Sequence, residues 1–243
     1  MVSSAAVAGT EEKAAASDVF PLQPPAMVRE MVIVSHGNFK RVRELVDAHP
    51  SLAEGAIDWG FGDWENALGA ASHTGNRDIA EYLIANGARP TLFSATMLGH
   101  LNVVKACIDA QPGVQRIPGP HSISLLAHAN AGGKAAEAVR AYLESLGDAG
   151  VPVTAPLTED EMASLAGTYT FGSGPNDRIE ITVVQGQLMF TRPGTMARGL
   201  YYVGSHAFHP AGASAVRIRF AAAGSGMALT VHDPDVVLTA VRA

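Results

Sequence analysis

Cysteine is almost absent from this 243-residue chain: Cys107 stands alone, so neither an internal disulfide nor a cysteine-built zinc site is available. Basic residues are also scarce. Lys and Arg number 17 against 23 Asp and Glu, the formal charge is −6, and the densest cationic run is Lys40-Arg41-Val42-Arg43. That leaves no electrostatic footprint for nucleic acid. No apolar run approaches the 18 residues a membrane span needs, so no membrane partner is expected. Aromatics make up only 6% of the chain. A Gly-x-Ser-x-Gly elbow, a glycine-rich phosphate loop and a His-Glu-x-x-His pattern are all missing, which removes the commonest signatures of catalysis. What is present is 47% apolar against 16% charged residues, ample for one large core or two ordinary ones.

Residues 1–25 read as a flexible leader, without a sustained period, closed by Phe20-Pro21-Leu22-Gln23-Pro24-Pro25. The expected compartment is the cytoplasm. The alternative is a periplasmic or secreted protein, if Ala5-Ala6-Val7-Ala8-Gly9 is the trailing end of a signal.

From residue 26 to about residue 148 four segments share one plan: a small-residue helix ending near a glycine, then an amphipathic helix. The apolar stripes of the second helices are Val42, Leu45 and Val46; Ile79, Tyr82 and Leu83; Val103, Val104, Cys107 and Ile108; and Val139, Tyr142, Leu143 and Leu146. The run from Ala67-Leu68-Gly69-Ala70-Ala71 through His73-Thr74-Gly75-Asn76 to Ile79-Ala80-Glu81-Tyr82-Leu83 resembles the ankyrin repeat. So does Met97-Leu98-Gly99-His100-Leu101-Asn102-Val103-Val104. The resemblance covers about half the chain and implies an all-α repeat solenoid over 26–150. Gly69 departs from it, standing where that family usually has the histidine of its Thr-Pro-Leu-His turn.

Glycine spacing then suggests an interruption. Gly37 to Gly75 is 38 residues, Gly75 to Gly99 is 24 and Gly99 to Gly132 is 33. A loss of about nine residues between Gly87 and Leu92 implies a missing finger and a notch beside two long neighbours. One neighbour runs from Ile57 to Glu65; the other runs from Gly113 to Ser122, with Ile117-Pro118-Gly119-Pro120-His121 at its tip.

Trp59, Phe61 and Trp64 fall within six residues in a chain with two tryptophans. Such rings either plug a core or line a binding surface. Asp63 and Glu65 beside them suit a cationic or polyhydroxy ligand, or cap the helix beginning near Asn66. His73, Met97 and Asn130 hold equivalent places near the ends of inner helices and are candidates for the groove floor. With His121 they offer a catalytic set, His73 and His121 as base and acid with Asp63 or Glu65 to orient one of them. The ligand-binding set is Trp59, Phe61, Trp64, Glu65, Met97 and Asn130. These spacings match no metal motif, so neither a metal nor another cofactor is expected. His128 reads as a satisfied core histidine, and His36 and His100 as turn residues bonded to the backbone.

Past the Pro-punctuated segment 151–156 the pattern becomes that of strands. A capped helix over Leu157–Met162 precedes eight short runs: Gly167–Phe171, Arg178–Val184, Gln187–Arg192, Leu200–Val203, Ala207–His209, Val216–Phe220, Met227–His232 and Val236–Val241. They predict a small antiparallel β-barrel over 151–243, following the helical solenoid in an α+β chain. Leu165-Ala166-Gly167-Thr168-Tyr169, Gln185-Gly186-Gln187-Leu188, Val216-Arg217-Ile218-Arg219-Phe220 and Ala240-Val241-Arg242 resemble the lipocalin-like accessory domain of serine-β-lactamase-like hydrolases. That implies no catalytic residues here.

Two functions are expected from this reading. The first is recognition of a protein, peptide or small ligand through a concave groove. The second is a small-molecule enzyme, a lyase, isomerase or hydrolase, working in the notch. It requires His73, His121 and Asp63 to lie within about 12 Å of one another.

Overall fold

A computed structural model describes residues 18–150, 157–224, 226–233 and 236–242. Most of the expected leader and the 151–156 segment lie outside the described residues. The helical part holds α1 (Pro25–Val34), α2 (Phe39–Ala48), α3 (Ala67–His73), α4 (Arg77–Ala85), α5 (Leu92–Met97), α6 (Leu101–Ala110), α7 (Leu125–Ala131) and α8 (Glu137–Leu146). Pro25 opens α1 at a position where a missing amide costs nothing. Asn38 caps α2, and Asn66, rather than Asp63 or Glu65, caps α3 by accepting from the Gly69 amide. The core of this part is aliphatic, built from Met31, Leu45, Leu68, Ile79 and Leu83 and continued by Val104, Leu125, Val139 and Leu143.

The expected ankyrin solenoid is not what this part builds. A solenoid repeats one unit, whereas here each helix pair is joined to the next differently. Between α2 and α3 the chain makes a 3₁₀ turn and a hairpin, β1 (Ala56–Asp58) with β2 (Trp64–Asn66). Between α4 and α5 it makes a short turn, and between α6 and α7 two 3₁₀ turns at Val114–Arg116 and Pro120–Ser122. The periodicity identified amphipathic helices correctly; it did not identify a repeat, because equal helix lengths do not require equal connections.

The C-terminal part is a closed antiparallel barrel of eight strands: β3 (Gly167–Thr170), β4 (Arg178–Val184), β5 (Gln187–Thr191), β6 (Arg198–Gly204), β7 (Ala207–Pro210), β8 (Arg217–Ala223), β9 (Gly226–Asp233) and β10 (Val236–Arg242). Each strand pairs with the next, and β10 closes on β3 through Val241↔Thr170 and Arg242↔Tyr169. Closure removes the free edges that a meander would expose. Alternation sends Tyr169, Ile179, Ile181, Leu188, Phe190, Leu200, Phe208, Ile218, Phe220, Leu229 and Val231 inward, where they fill the interior. Helix α9 (Glu159–Leu165) closes one end under a reciprocal cap between Thr158 and Glu161, and the Tyr169 hydroxyl donates to Leu165 O. Among the described residues no helix is long and apolar enough to cross a membrane.

The two parts meet at the 56–66 hairpin. Phe61 packs on Phe190 of β5, with ring centroids 5.7 Å apart. Arg198 at the start of β6 reaches Asp63, and Ser122 Oγ accepts from the Gly212 amide. Gly212, at φ +77°, lies so close to Asp63 that a Cβ there would fall inside the carboxylate. Glycine is required at this docking point.

Candidate metal centre

Four segments distant in sequence deliver one side chain each to a single spot. The α1–α2 turn brings His36, β2 brings Glu65, the last residue of α3 brings His73, and the α6–α7 connection brings His121. One Nε2 or carboxylate oxygen from each lies within 4.8 Å of all the others. The period of two along β2 sets the direction of Glu65: Trp64 points out to solvent and Glu65 points in. Its side chain is fully buried, with one hydrogen bond, accepted from Trp59 Nε1 at 2.8 Å.

Around this carboxylate stand three imidazole nitrogens: His73 Nε2 at 2.9 Å, His121 Nε2 at 3.3 Å and His36 Nε2 at 3.5 Å. Two tautomers are set by the far side of the ring. His36 Nδ1 donates to Val32 O at 3.0 Å, and His121 Nδ1 donates to Asp63 at 2.7 Å. With Nδ1 protonated, a neutral His36 or His121 turns the Nε2 lone pair toward Glu65, as a metal ligand must; without an ion, a protonated His121 instead donates from Nε2 to Glu65. His73 Nε2 and Glu65 Oε1 are buried 2.9 Å apart, an ion-pair contact in which neither atom makes a well-aligned hydrogen bond. Ligands of a tetrahedral ion at 2.0–2.1 Å stand about 3.4 Å apart, which is the scale of these separations.

The backbone is strained to hold this arrangement. His121 and Ser122 both sit at positive φ, 58° and 61°, as does Phe61 at 58° between Gly60 and Gly62. Non-glycine residues pay on the order of 1–3 kcal/mol for such conformations, which cluster at functional sites. The strain at His121 lets its amide and its ring both bond Asp63, at 2.9 and 2.7 Å. Asp63 also accepts from Arg198 Nη1 at 2.9 Å. The resulting chain Arg198–Asp63–His121 is the carboxylate–histidine support that metal-ligating imidazoles carry.

Charge is balanced accordingly. Burial opposes ionisation of Glu65, yet His121 and His73 outweigh it and hold the carboxyl down at about 2. Burial likewise opposes ionisation of Asp63, but His121 and then Arg198 keep it below the usual carboxylate range. Burial alone would make His121 less basic; Asp63 and Glu65 instead raise it to about 9 when no ion is bound.

His128 is buried as expected, but it is not satisfied. Its Nδ1 donates to Ser124 O at 2.8 Å and its Nε2 has no partner. Burial pushes it down to about 4. A histidine depressed in the folded state contributes stability above its unfolded value near 6.5, and that contribution is lost as pH falls toward 4. Urea unfolding across this window should show a loss of about 3 kcal/mol that a His128→Leu variant lacks.

The structure brings His73, His121, Asp63, Glu65 and Trp59 together, with the His73 and His121 rings 5.7 Å apart. It separates the other candidates. Phe61 faces the barrel. Trp64 is 64% exposed on the opposite face of its strand. Met97 is fully buried in the helical core, because α5 is packed between α3 and α7; its place matches that of His73 only in chain order. Asn130 is exposed and borders a separate cleft with Lys134, Glu137 and Arg140. Nor is there an open notch: with the α4–α5 connection so short, the 113–122 segment reaches the hairpin and closes on Asp63. His36, which reads as a plain turn residue, joins the site. Its Nδ1 does bond the backbone, and that bond is what presents Nε2 to Glu65. Arg198 had a signal in its phase, a charged residue in register with inward-facing Leu200.

Comparison with family models, with curated proteins and with solved structures gives no match. Neither the ankyrin-repeat nor the lipocalin-like resemblance is sustained.

Proposed function

We propose that this chain is a metal-dependent enzyme acting on a small molecule, with His36, Glu65, His73 and His121 as ligands of one divalent transition ion. The observation that carries this reading is the convergence of three imidazoles on one buried carboxylate, with a ligand atom of each of His36, Glu65, His73 and His121 within 4.8 Å of the others. A buried carboxylate among three imidazoles without thiolate suits zinc, iron, cobalt, nickel or copper rather than calcium or magnesium. When bound, such an ion supplies Lewis acidity and an activated water. The protein's own residues supply the rest. Asp63 fixes the His121 tautomer, Trp59 holds Glu65 by its indole N–H and screens it, and Arg198 anchors Asp63. The His36, His121 and His73 side chains remain 30%, 20% and 10% exposed, so water and a small substrate have an approach. Closure of the notch by Asp63 and His121 weighs against an extended peptide lying there.

The test is cobalt substitution. The Co²⁺-loaded chain should show visible bands that shift on adding azide, because an exchangeable position remains at the ion. Bands indifferent to azide would mean a closed structural site, and no bands would mean no site.

A further inference from the structure

Beside the metal centre, between the hairpin and the barrel wall, lies a cavity of about 140 Å³ lined by Trp59, Gly60, Phe61, Phe190, Arg192, Thr195, Met196 and Arg198. Its walls are mostly rings and a thioether, yet they include two guanidinium groups and no carboxylate. Arg198 spends Nη1 on Asp63 and Ala211 O, while Nη2 turns toward Gly60, 3.9 Å from where a Cβ would be. Arg192 stacks on Phe171 and donates through Nη2 to Asn176 O. Among the described residues no ion pair joins it to a carboxylate, and its Nε is sealed from solvent without a hydrogen bond. Guanidinium side chains in the wall of an apolar pocket that no carboxylate lines are a recognition pattern for an anion carrying an apolar body. Size limits that body, since cavities of about 150 Å³ take up benzene.

We propose that this cavity binds a compact carboxylic acid, one ring or a short branched chain in size, with its carboxylate on Arg192 and Arg198 and its apolar part against Phe61, Phe190 and Met196. Two lining residues also touch the metal ligands' shell. Trp59 bonds Glu65 and sits 5.7 Å from the His121 ring, and Arg198 bonds the carboxylate that orients His121. An acid held here is therefore placed against the metal centre, and its role as substrate rests on the function proposed above. Binding itself does not.

The experiment is a tryptophan-fluorescence titration of the full chain with benzoate, in zinc-free and zinc-loaded forms, with benzyl alcohol and inorganic phosphate as comparators and bound zinc measured in every sample. Trp59 is the reporter. Saturable benzoate binding is expected, at least about tenfold tighter than benzyl alcohol or phosphate. Arg192→Met should weaken benzoate about tenfold or more while leaving bound zinc and the benzyl alcohol response unchanged. Met196→Trp, which fills the cavity, should abolish benzoate binding with zinc retained. Equal affinity for benzoate and benzyl alcohol, tighter phosphate binding, indifference to Arg192→Met, or no saturation would each overturn the proposal. Benzoate binding to a chain that takes up no zinc would uphold the cavity and remove the metal reading alone.

Discussion

Glu65→Gln is expected to lower zinc affinity by more than about a hundredfold, a larger loss than the 10–100-fold typical of residues that only support a ligand. The amide has nearly the same shape as the carboxylate, so the change is one of charge. Glu65 contributes the negative charge among the four ligand side chains, is fully buried, and faces three imidazole nitrogens within 3.5 Å. Without it the remaining ligands are neutral, and a divalent ion would enter a buried site uncompensated. Competition titration against a chromophoric chelator measures the affinity directly. Near-UV circular dichroism should remain that of a folded chain, separating loss of the ion from loss of the fold. Trp64→Ala, one residue away but pointing to solvent, should leave zinc affinity unchanged.

The second large effect concerns Asp63. Its carboxylate is 2% exposed and holds three partners, the His121 amide, the His121 ring and Arg198, which is itself 7% exposed. Removing one member of a buried pair leaves the other charge without compensation, a cost of about 3–5 kcal/mol. Asp63→Ala should therefore lower unfolding free energy by that amount and, by freeing the His121 ring, cut metal affinity about 10–100-fold. Arg198→Met should show a comparable stability loss with a smaller effect on the ion, because His121 keeps its hydrogen bond to Asp63. The double variant should be less destabilised than the sum of the two, since the orphaned charge disappears; urea titration of the four chains yields this coupling. Additive losses would mean that Asp63 and Arg198 act independently, and the hairpin would then have to be docked on the barrel by the Phe61–Phe190 contact and Ser122 alone.

The barrel was the most legible part of the sequence. Alternation in Arg178–Val184 and Val216–Phe220 reports directly which side chains face inward, and glycine turns such as Gly186 separate neighbouring strands. The Thr158–Glu161 cap was legible for a similar reason, being a local contact over three residues. The helices were legible one at a time, but their arrangement was not, because stripes such as Ile79, Tyr82 and Leu83 show that a face is buried without showing against what. The site was half legible. Asp63, Glu65 and Trp59 stand out in a short polar–aromatic hairpin, and His121 at a proline-rich tip. Yet four side chains brought together from four segments have no spacing to betray them, and the pairing of Asp63 with Arg198 spans 135 residues. Met97 and Asn130 were misplaced by assuming that positions equivalent in a repeat share surroundings.

The most direct measurement is X-ray absorption at the zinc edge of the zinc-loaded chain. Three imidazole nitrogens and at least one oxygen at about 2.0–2.1 Å are expected, with one imidazole lost in His73→Ala. A spectrum with one imidazole or none, or one unchanged by His73→Ala, would contradict the assignment of His36, Glu65, His73 and His121 as a single metal centre.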